Sequence, residues 1–112
     1  MRNRAINALI RMGIPADISG FRYITDIMCL FEYREHRYSG ICKIYEQIAE
    51  MNGTSTRNVE RTIRNAFRFV AEGAGVREEV EKYLPTKNTS NGNLLHVLYI
   101  KLKQEEEKEN GN

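Results

Sequence analysis

The chain has 112 residues and a mass of 13.0 kDa, which suffices for one hydrophobic core but not for two. A content of 41% hydrophobic and 29% charged residues excludes disordered and membrane-embedded classes. The net charge of +2 says little about partners, but residues 1–71 hold 11 basic and 7 acidic residues, whereas residues 72–112 hold 6 and 8. Because no apolar run could span a membrane and the N-terminus lacks the apolar centre of a signal peptide, we expect a cytoplasmic protein without membrane contact.

Two cysteines, Cys29 and Cys42, are too few for a disulfide scaffold. With only His36 and His96 beside them, no spacing is typical of a zinc site. No histidine, cysteine or carboxylate pair has a spacing that would activate a nucleophile. We therefore expect reduced thiols, no metal, no cofactor and no catalytic residue, so that the chain is not an enzyme.

Apolar residues recur at three- and four-residue steps, which predicts six helices, and no window shows the alternation typical of strands. The predicted helices cover about residues 4–12, 20–38, 41–51, 55–72, 76–83 and 94–103. The fold class is therefore all-α, a compact six-helix domain over residues 1–103. Residues 104–112 are charged and lack periodicity, which predicts a fraying helix end and a disordered tail; the alternative is an acidic tail that mimics nucleic acid.

The fourth predicted helix has two distinct faces. At about 100° per residue its apolar residues fall within an arc of about 100°. They are Val59, Ile63, Ala66, Phe67 and Val70. Four arginines fall within about 60° on the opposite side. These are Arg57, Arg61, Arg64 and Arg68. Like charges at i, i+4 spacing destabilise an isolated helix slightly, and a polyanion would relieve that repulsion.

A glycine-containing turn, residues 52–55, separates this helix from the third one, and Thr54 and Ser55 are good N-cap residues. Two helices joined in this way, with a basic outer face on the second, are typical of a helix-turn-helix. In that motif the second helix lies in the major groove of DNA. Protein-binding bundles can share the pattern, so it is moderately specific.

We expect the groove-facing residues to be those near the start of the fourth helix. They are Thr56, Arg57, Asn58, Glu60, Arg61 and Arg64. Arginine can bond guanine, asparagine adenine, and a carboxylate cytosine. Glu60 has two interpretations, a surface ion pair with a neighbouring arginine or a contact to cytosine. Arg68 is either a phosphate contact or solvated, and the hydroxyls of Thr54, Ser55 and Thr56 suit a backbone phosphate.

Over about residues 5–103 the chain resembles the C-terminal DNA-binding domain of the stage 0 sporulation protein A family of response regulators. The resemblance rests on the segments Gly13–Tyr23, Tyr45–Ala49 and Val59–Ala66, and on a polar linker and apolar helix over residues 88–102. It implies a six-helix domain with an embedded helix-turn-helix. It also implies a transcription regulator that binds a promoter box in double-stranded DNA, often as tandem copies.

The resemblance also implies which residues form the recognition surface. The family's equivalents of Asn58, Glu60, Arg61 and Arg64 lie there, and the last three are retained by type, which favours a base contact for Glu60. Asn58 stands where the family tends to have arginine, and Arg57 where it tends to have a small polar residue. The preferred DNA sequence can therefore differ.

Full-length members of the family carry an N-terminal receiver domain, whereas here Met1 leads directly into the first predicted helix. We expect either an excised domain or a free-standing regulator without phosphorylation control. The expected partners are double-stranded DNA and RNA polymerase, with a monomer in solution and a dimer on DNA.

Two alternatives to DNA binding remain. One is a protein-interaction module with a groove between the second and sixth predicted helices. The other is a modulator that cannot bind DNA and pairs with a full-length relative.

Overall fold

Seven α-helices make up the part of the chain that the computed structural model describes, residues 1–111. In chain order they are α1 (Arg2–Met12), α2 (Ser19–Leu30), α3 (Arg34–Arg37), α4 (Ile41–Asn52), α5 (Thr56–Phe69), α6 (Arg77–Tyr83) and α7 (Asn91–Glu109). One π-type turn, Val70–Ala74, continues α5. These residues contain no strand, which confirms the all-α prediction. Over the same range no helix has both the length and the apolar content needed to cross a bilayer.

The second predicted helix is divided into two helices, α2 and α3, so the structure has seven helices where the sequence predicted six. Its first part ends at Leu30, and the chain turns through Phe31 before the short α3 begins. Phe31 is fully buried, with its ring centroid 4.6 Å from that of His96 and 5.6 Å from that of Tyr99. No side chain of α3 is buried, so a straight continuation of α2 would have had no apolar face to pack.

The last helix continues to Glu109, whereas the sequence predicted an end near residue 103. Its charged extension is tied to the rest of the bundle, because Arg4 donates to Glu109 at 2.6 Å. Lys103 lies 3.0 Å from Glu106 and 3.4 Å from Glu32. Residues 104–109 of the predicted tail are thus helical, and Asn112 lies outside the described residues.

The helix α5 lies within the bundle and packs against α2, α4 and α7. Its closest neighbour is α2. A Cβ atom on Gly20 would lie 2.8 Å from the Thr62 carbonyl oxygen and 2.9 Å from the Ala66 Cβ. The two backbones can approach this closely only because position 20 has no side chain.

We expect Gly20→Ala to lower the free energy of unfolding by about 1–3 kcal/mol, because the added methyl group must displace the backbone of α5. Gly92→Ala is the matched control, since a Cβ there meets only the Ile41 side chain, at 3.8 Å or more. The control variant should be neutral or more stable by up to about 1 kcal/mol, as alanine favours a helix. Urea unfolding followed by circular dichroism measures both. Equal effects of the two substitutions would contradict the close packing of α2 on α5.

Candidate nucleic-acid interface

The turn between α4 and α5 is built by local backbone chemistry. Gly53 follows α4 with φ 62° and ψ 38°, a left-handed conformation that glycine adopts easily. The Thr54 amide donates to the Ala49 carbonyl at 3.0 Å, which closes the end of α4. The Ser55 hydroxyl then accepts from the Asn58 amide at 3.1 Å, which confirms Ser55 as the predicted N-cap of α5.

The apolar stripe of α5 is buried as predicted, since each of its residues is at most 4% exposed. They are Val59, Ile63, Ala66, Phe67 and Val70. On α4, Ile48 and Ala49 are also buried. Burial of this one stripe fixes which face of α5 is directed outward.

The four arginines of α5 are all exposed, as their spacing predicted. They are Arg57, Arg61, Arg64 and Arg68. None is held by a carboxylate inside the described bundle, because the partners of the last three lie on α5 itself or on the turn that follows it. Among residues 1–111, the Arg57 side chain has no hydrogen bond or ion pair. The outer face of α5 therefore presents guanidinium groups to solvent.

Glu60 pairs with Arg64 one turn further along α5, so the first of its two interpretations describes the protein without DNA. Both side chains are partly exposed, at 36% and 46% respectively. Exposed ion pairs of this kind stabilise a protein by only about 0–1 kcal/mol. The pair can therefore open at little cost when a better partner is available.

Asn58 connects the start of α5 to the turn. Its amide nitrogen donates to the Thr54 hydroxyl at 3.0 Å, and its amide oxygen accepts from Arg61 at 2.8 Å. These contacts have i, i+4 and i, i+3 spacing, which is the signal that sequence analysis could have used to find them. They hold the Arg61 head beside the Asn58 amide on the outer face.

The distances along α5 divide the predicted residues into two groups. Residues 56–64 span roughly 12 Å at about 1.5 Å per residue. The major groove of DNA, about 12 Å wide, admits a helix of about 10–12 Å diameter, and the residues near its N-terminus then face the base edges. Arg68 lies one turn further along the helix, beyond that span. The structure thus brings the predicted residues from Thr54 to Arg64 together and sets Arg68 apart from them.

Sequence analysis missed Asn91, which it placed in a loop. The α7 helix begins at this residue, and the preceding Ser90 caps it by accepting from the Asn93 amide at 3.4 Å. The Asn91 side-chain amide donates to the Glu60 backbone carbonyl at 2.9 Å, 31 residues away in sequence. A contact at this separation gives no signal in a single sequence.

Tyr45 of α4 lies beside the same amide. Burial raises the pKa of Tyr45 to about 12, while the neighbouring Asn91 amide acts in the opposite direction and the Glu60 carboxylate raises it further. The phenol is therefore neutral at physiological pH. Tyr45 thus lies at the point where α4, α5 and α7 meet.

Two other surfaces bear on the alternatives to DNA binding. Between the end of α2 and α7, where the sequence suggested a groove for a protein partner, the buried rings of Phe31 and Tyr99 pack against each other, and the Tyr99 hydroxyl donates to Glu32 at 2.7 Å. A surface cavity of about 680 Å³ lies instead between the end of α5, α6 and the loop before α7.

Among residues 1–111, no three His, Cys, Asp or Glu side chains are grouped to hold a metal ion.

Residues 5–102 match the family model for the C terminal of sporulation initiation factor Spo0A. The match includes the whole of α4, the turn and α5, so the resemblance inferred from the sequence is confirmed. No curated protein matches the chain.

We expect Ser55→Ala to lower the free energy of unfolding by about 0.5–2 kcal/mol, because it leaves the Asn58 amide without its acceptor at the start of α5. Ser55→Asp keeps an acceptor at that position and adds a favourable charge at the helix N-terminus, so it should retain the stability of the wild type. Thermal and urea unfolding measure both variants. If alanine and aspartate have the same effect, the capping bond does not stabilise α5.

Proposed function

Since the chain belongs to the Spo0A C-terminal family, whose members are DNA-binding effector domains, we propose that it binds double-stranded DNA in a sequence-specific manner, with α5 as the recognition helix in the major groove. The bound site is a short promoter box, and binding regulates transcription. The observation that carries this proposal is the row of four exposed arginines directly opposite the buried stripe of α5. A helix face of this kind supplies both the charge for phosphates and the donors for base edges.

The proposal assigns base contacts to the part of the outer face that fits within the groove. These residues are Arg57, Asn58, Glu60, Arg61 and Arg64. Arginine heads read guanine, the Asn58 amide reads adenine, and the Glu60 carboxylate accepts from cytosine. The contact between Asn58 and Arg61 supports this assignment, because it orders the Arg61 head before DNA arrives.

Phosphate contacts are assigned to the two ends of the recognition helix. The hydroxyls of Thr54, Ser55 and Thr56 and the free amides of the first turn bind one strand. Arg68, one turn beyond the groove-spanning part, binds the backbone on the other side. Its ion pair with Glu72 is long, at 3.7 Å, and exposed, so it competes weakly with a phosphate.

Binding to DNA also exchanges weak contacts within α5 for stronger ones. Glu60 and Arg64 separate, and each bonds a base edge in the groove. The repulsion between arginines four residues apart is relieved when phosphates neutralise them. We further propose a monomer in solution that forms a dimer on tandem boxes, acts in the cytoplasm and contacts RNA polymerase.

Selection of bound duplexes from a random pool, read at two salt concentrations, tests the function. We expect one enriched box and an affinity that falls with salt at a slope of about −0.9 per neutralised phosphate in a plot of log K against log salt concentration. A protein-interaction module would enrich no sequence, and its binding to a protein partner would respond little to salt. A native fold that binds no duplex would favour the modulator that pairs with a full-length relative.

Arg61→Ala should weaken binding to the selected box by about 1–3 kcal/mol and relax the preference at one base pair, because it removes a base contact. Arg68→Ala should weaken binding to all sequences alike, and by less, because it removes a phosphate contact. Lys82→Ala is the charge-matched control, since Lys82 lies on α6 with 62% of its side chain exposed, pairs with Glu79 and does not line the cavity beside Arg64 and Arg68. Its removal should leave affinity nearly unchanged.

Titration of each variant with the selected box and with single-base variants of that box gives these values. The assignment of Arg61 to a base is wrong if Arg61→Ala and Arg68→Ala cause equal losses on every duplex. If Lys82→Ala weakens binding as much as either, the losses come from net charge, and the contacts assigned to Arg61 and Arg68 are wrong.

A further inference from the structure

The side chain of Asn91 occupies the point where α4, α5 and α7 meet. Its amide donates to the Glu60 carbonyl of α5 at 2.9 Å and lies beside the Tyr45 side chain of α4. In the next position, Gly92 faces Ile41 of α4, with the Ile41 side chain 3.8 Å from where a Cβ would lie. The first turn of α7 therefore contacts both helices of the helix-turn-helix.

The remaining contacts that hold α5 in the bundle are apolar. Its stripe is buried against α2, α4 and α7 by packing, which is not directional. Among the hydrogen bonds of residues 1–111, the bond from Asn91 is the one that joins α5 to a helix distant in sequence. It is a directional constraint on how far α5 rotates about its axis and slides along it.

The bond from Asn91 meets α5 beside the proposed base contacts. The bonded carbonyl belongs to Glu60, whose carboxylate pairs with Arg64 on the outer face. The bond thus fixes the backbone of the same turn that carries the proposed base contacts at Glu60, Arg61 and Arg64. A constraint at the helix end would act on these residues only through the intervening turns.

We propose that Asn91 is a positioning residue for the recognition helix, which sets the rotation of α5 and thereby the discrimination between DNA sequences. This inference rests on the proposed function. Asn91 acts through the Glu60 carbonyl and needs no contact with a base.

The expected consequence follows from the geometry of a helix. A rotation of about 20° displaces a side chain at a radius of about 6 Å by roughly 2 Å. A bidentate contact to a base edge requires donor to acceptor distances within about 0.5 Å, so it is lost. Contacts to phosphates tolerate such a displacement because they depend mainly on charge. Loss of the constraint should therefore weaken specific binding more than non-specific binding.

The test compares the affinity of Asn91→Ala for the selected box with its affinity for a duplex of unrelated sequence. We expect the ratio of the two affinities to fall about tenfold, as for the loss of one well-placed hydrogen bond, with non-specific affinity within about twofold of the wild type. Asn93→Ala is the matched control. Asn93 lies two residues further along the same helix and donates to the Asn88 carbonyl at 2.8 Å, and within residues 1–111 it has no hydrogen bond to α5.

A second variant separates positioning from stability. Asn91→Asp keeps the size of the side chain and places a carboxylate in the first turn of α7, where negative charge stabilises a helix. The carboxylate has no proton to donate to the Glu60 carbonyl at neutral pH. We expect this variant to unfold at a temperature at or above that of Asn91→Ala, because the charge at the helix N-terminus offsets part of the lost hydrogen bond, and yet to show the same loss in the ratio of affinities.

The outcomes distinguish this inference from the function on which it rests. If wild-type protein does not discriminate between the box and unrelated DNA, both the proposed function and the role of Asn91 are wrong. If wild type discriminates and both Asn91 variants retain the full ratio, only the positioning role is overturned. It is equally overturned if the ratio follows the melting temperature across the variants, or if Asn93→Ala lowers it as much.

Discussion

The close approach of α2 and α5 at Gly20 is the constraint on which the outer surface depends. With Thr62 and Ala66 backed against a position without a side chain, α5 sits deep in the bundle and can turn only its apolar stripe inward. The arginines, on the opposite side of α5, are therefore directed away from the core. A larger residue at position 20 would push α5 outward and loosen the contacts with α4 as well. The basic face is thus a consequence of core packing, since the charges themselves oppose one another along the helix.

In the protein without DNA, the repulsion between these arginines is only partly compensated. Arg64 has Glu60 and Arg68 has Glu72, both as exposed pairs on neighbouring turns, while Arg61 has the neutral Asn58 amide. Such contacts orient the guanidinium groups and stabilise them little. A site of this kind is ordered enough to limit the entropy lost on binding, and weakly enough paired for a polyanion to displace its partners.

The elements that sequence predicts best are those fixed by local rules. The 3.6-residue period of α5, the glycine turn at residue 53 and the Ser55 cap depend on neighbours within a few residues, and the structure has each of them. The break after Leu30 depends on Phe31 packing against His96, and the extension of α7 depends on Arg4 reaching Glu109. The contact from Asn91 to Glu60 is of the same long-range kind. Sequence therefore predicts α5, the proposed recognition helix, and its outward face, whereas the contacts that hold this helix in place require the tertiary structure.

Acidic residues near the end of the chain pair with the basic residues of α1. The net charge of +4 over residues 1–71 includes Arg4 and Arg11 of α1, but both are matched by carboxylates from the acidic remainder of the chain. Arg4 bonds Glu109, and Arg11 lies 3.7 Å from Glu79 and 3.8 Å from Glu105. The bond to Arg4 also lowers the pKa of Glu109, which keeps that carboxylate charged. In these pairs, carboxylates at the end of α7 bind arginines of α1. They are therefore not free to imitate the phosphates of nucleic acid, which argues against that interpretation of the tail. The outer face of α5 carries four exposed arginines against Glu60 alone, and under the proposed function this charge attracts an approaching duplex.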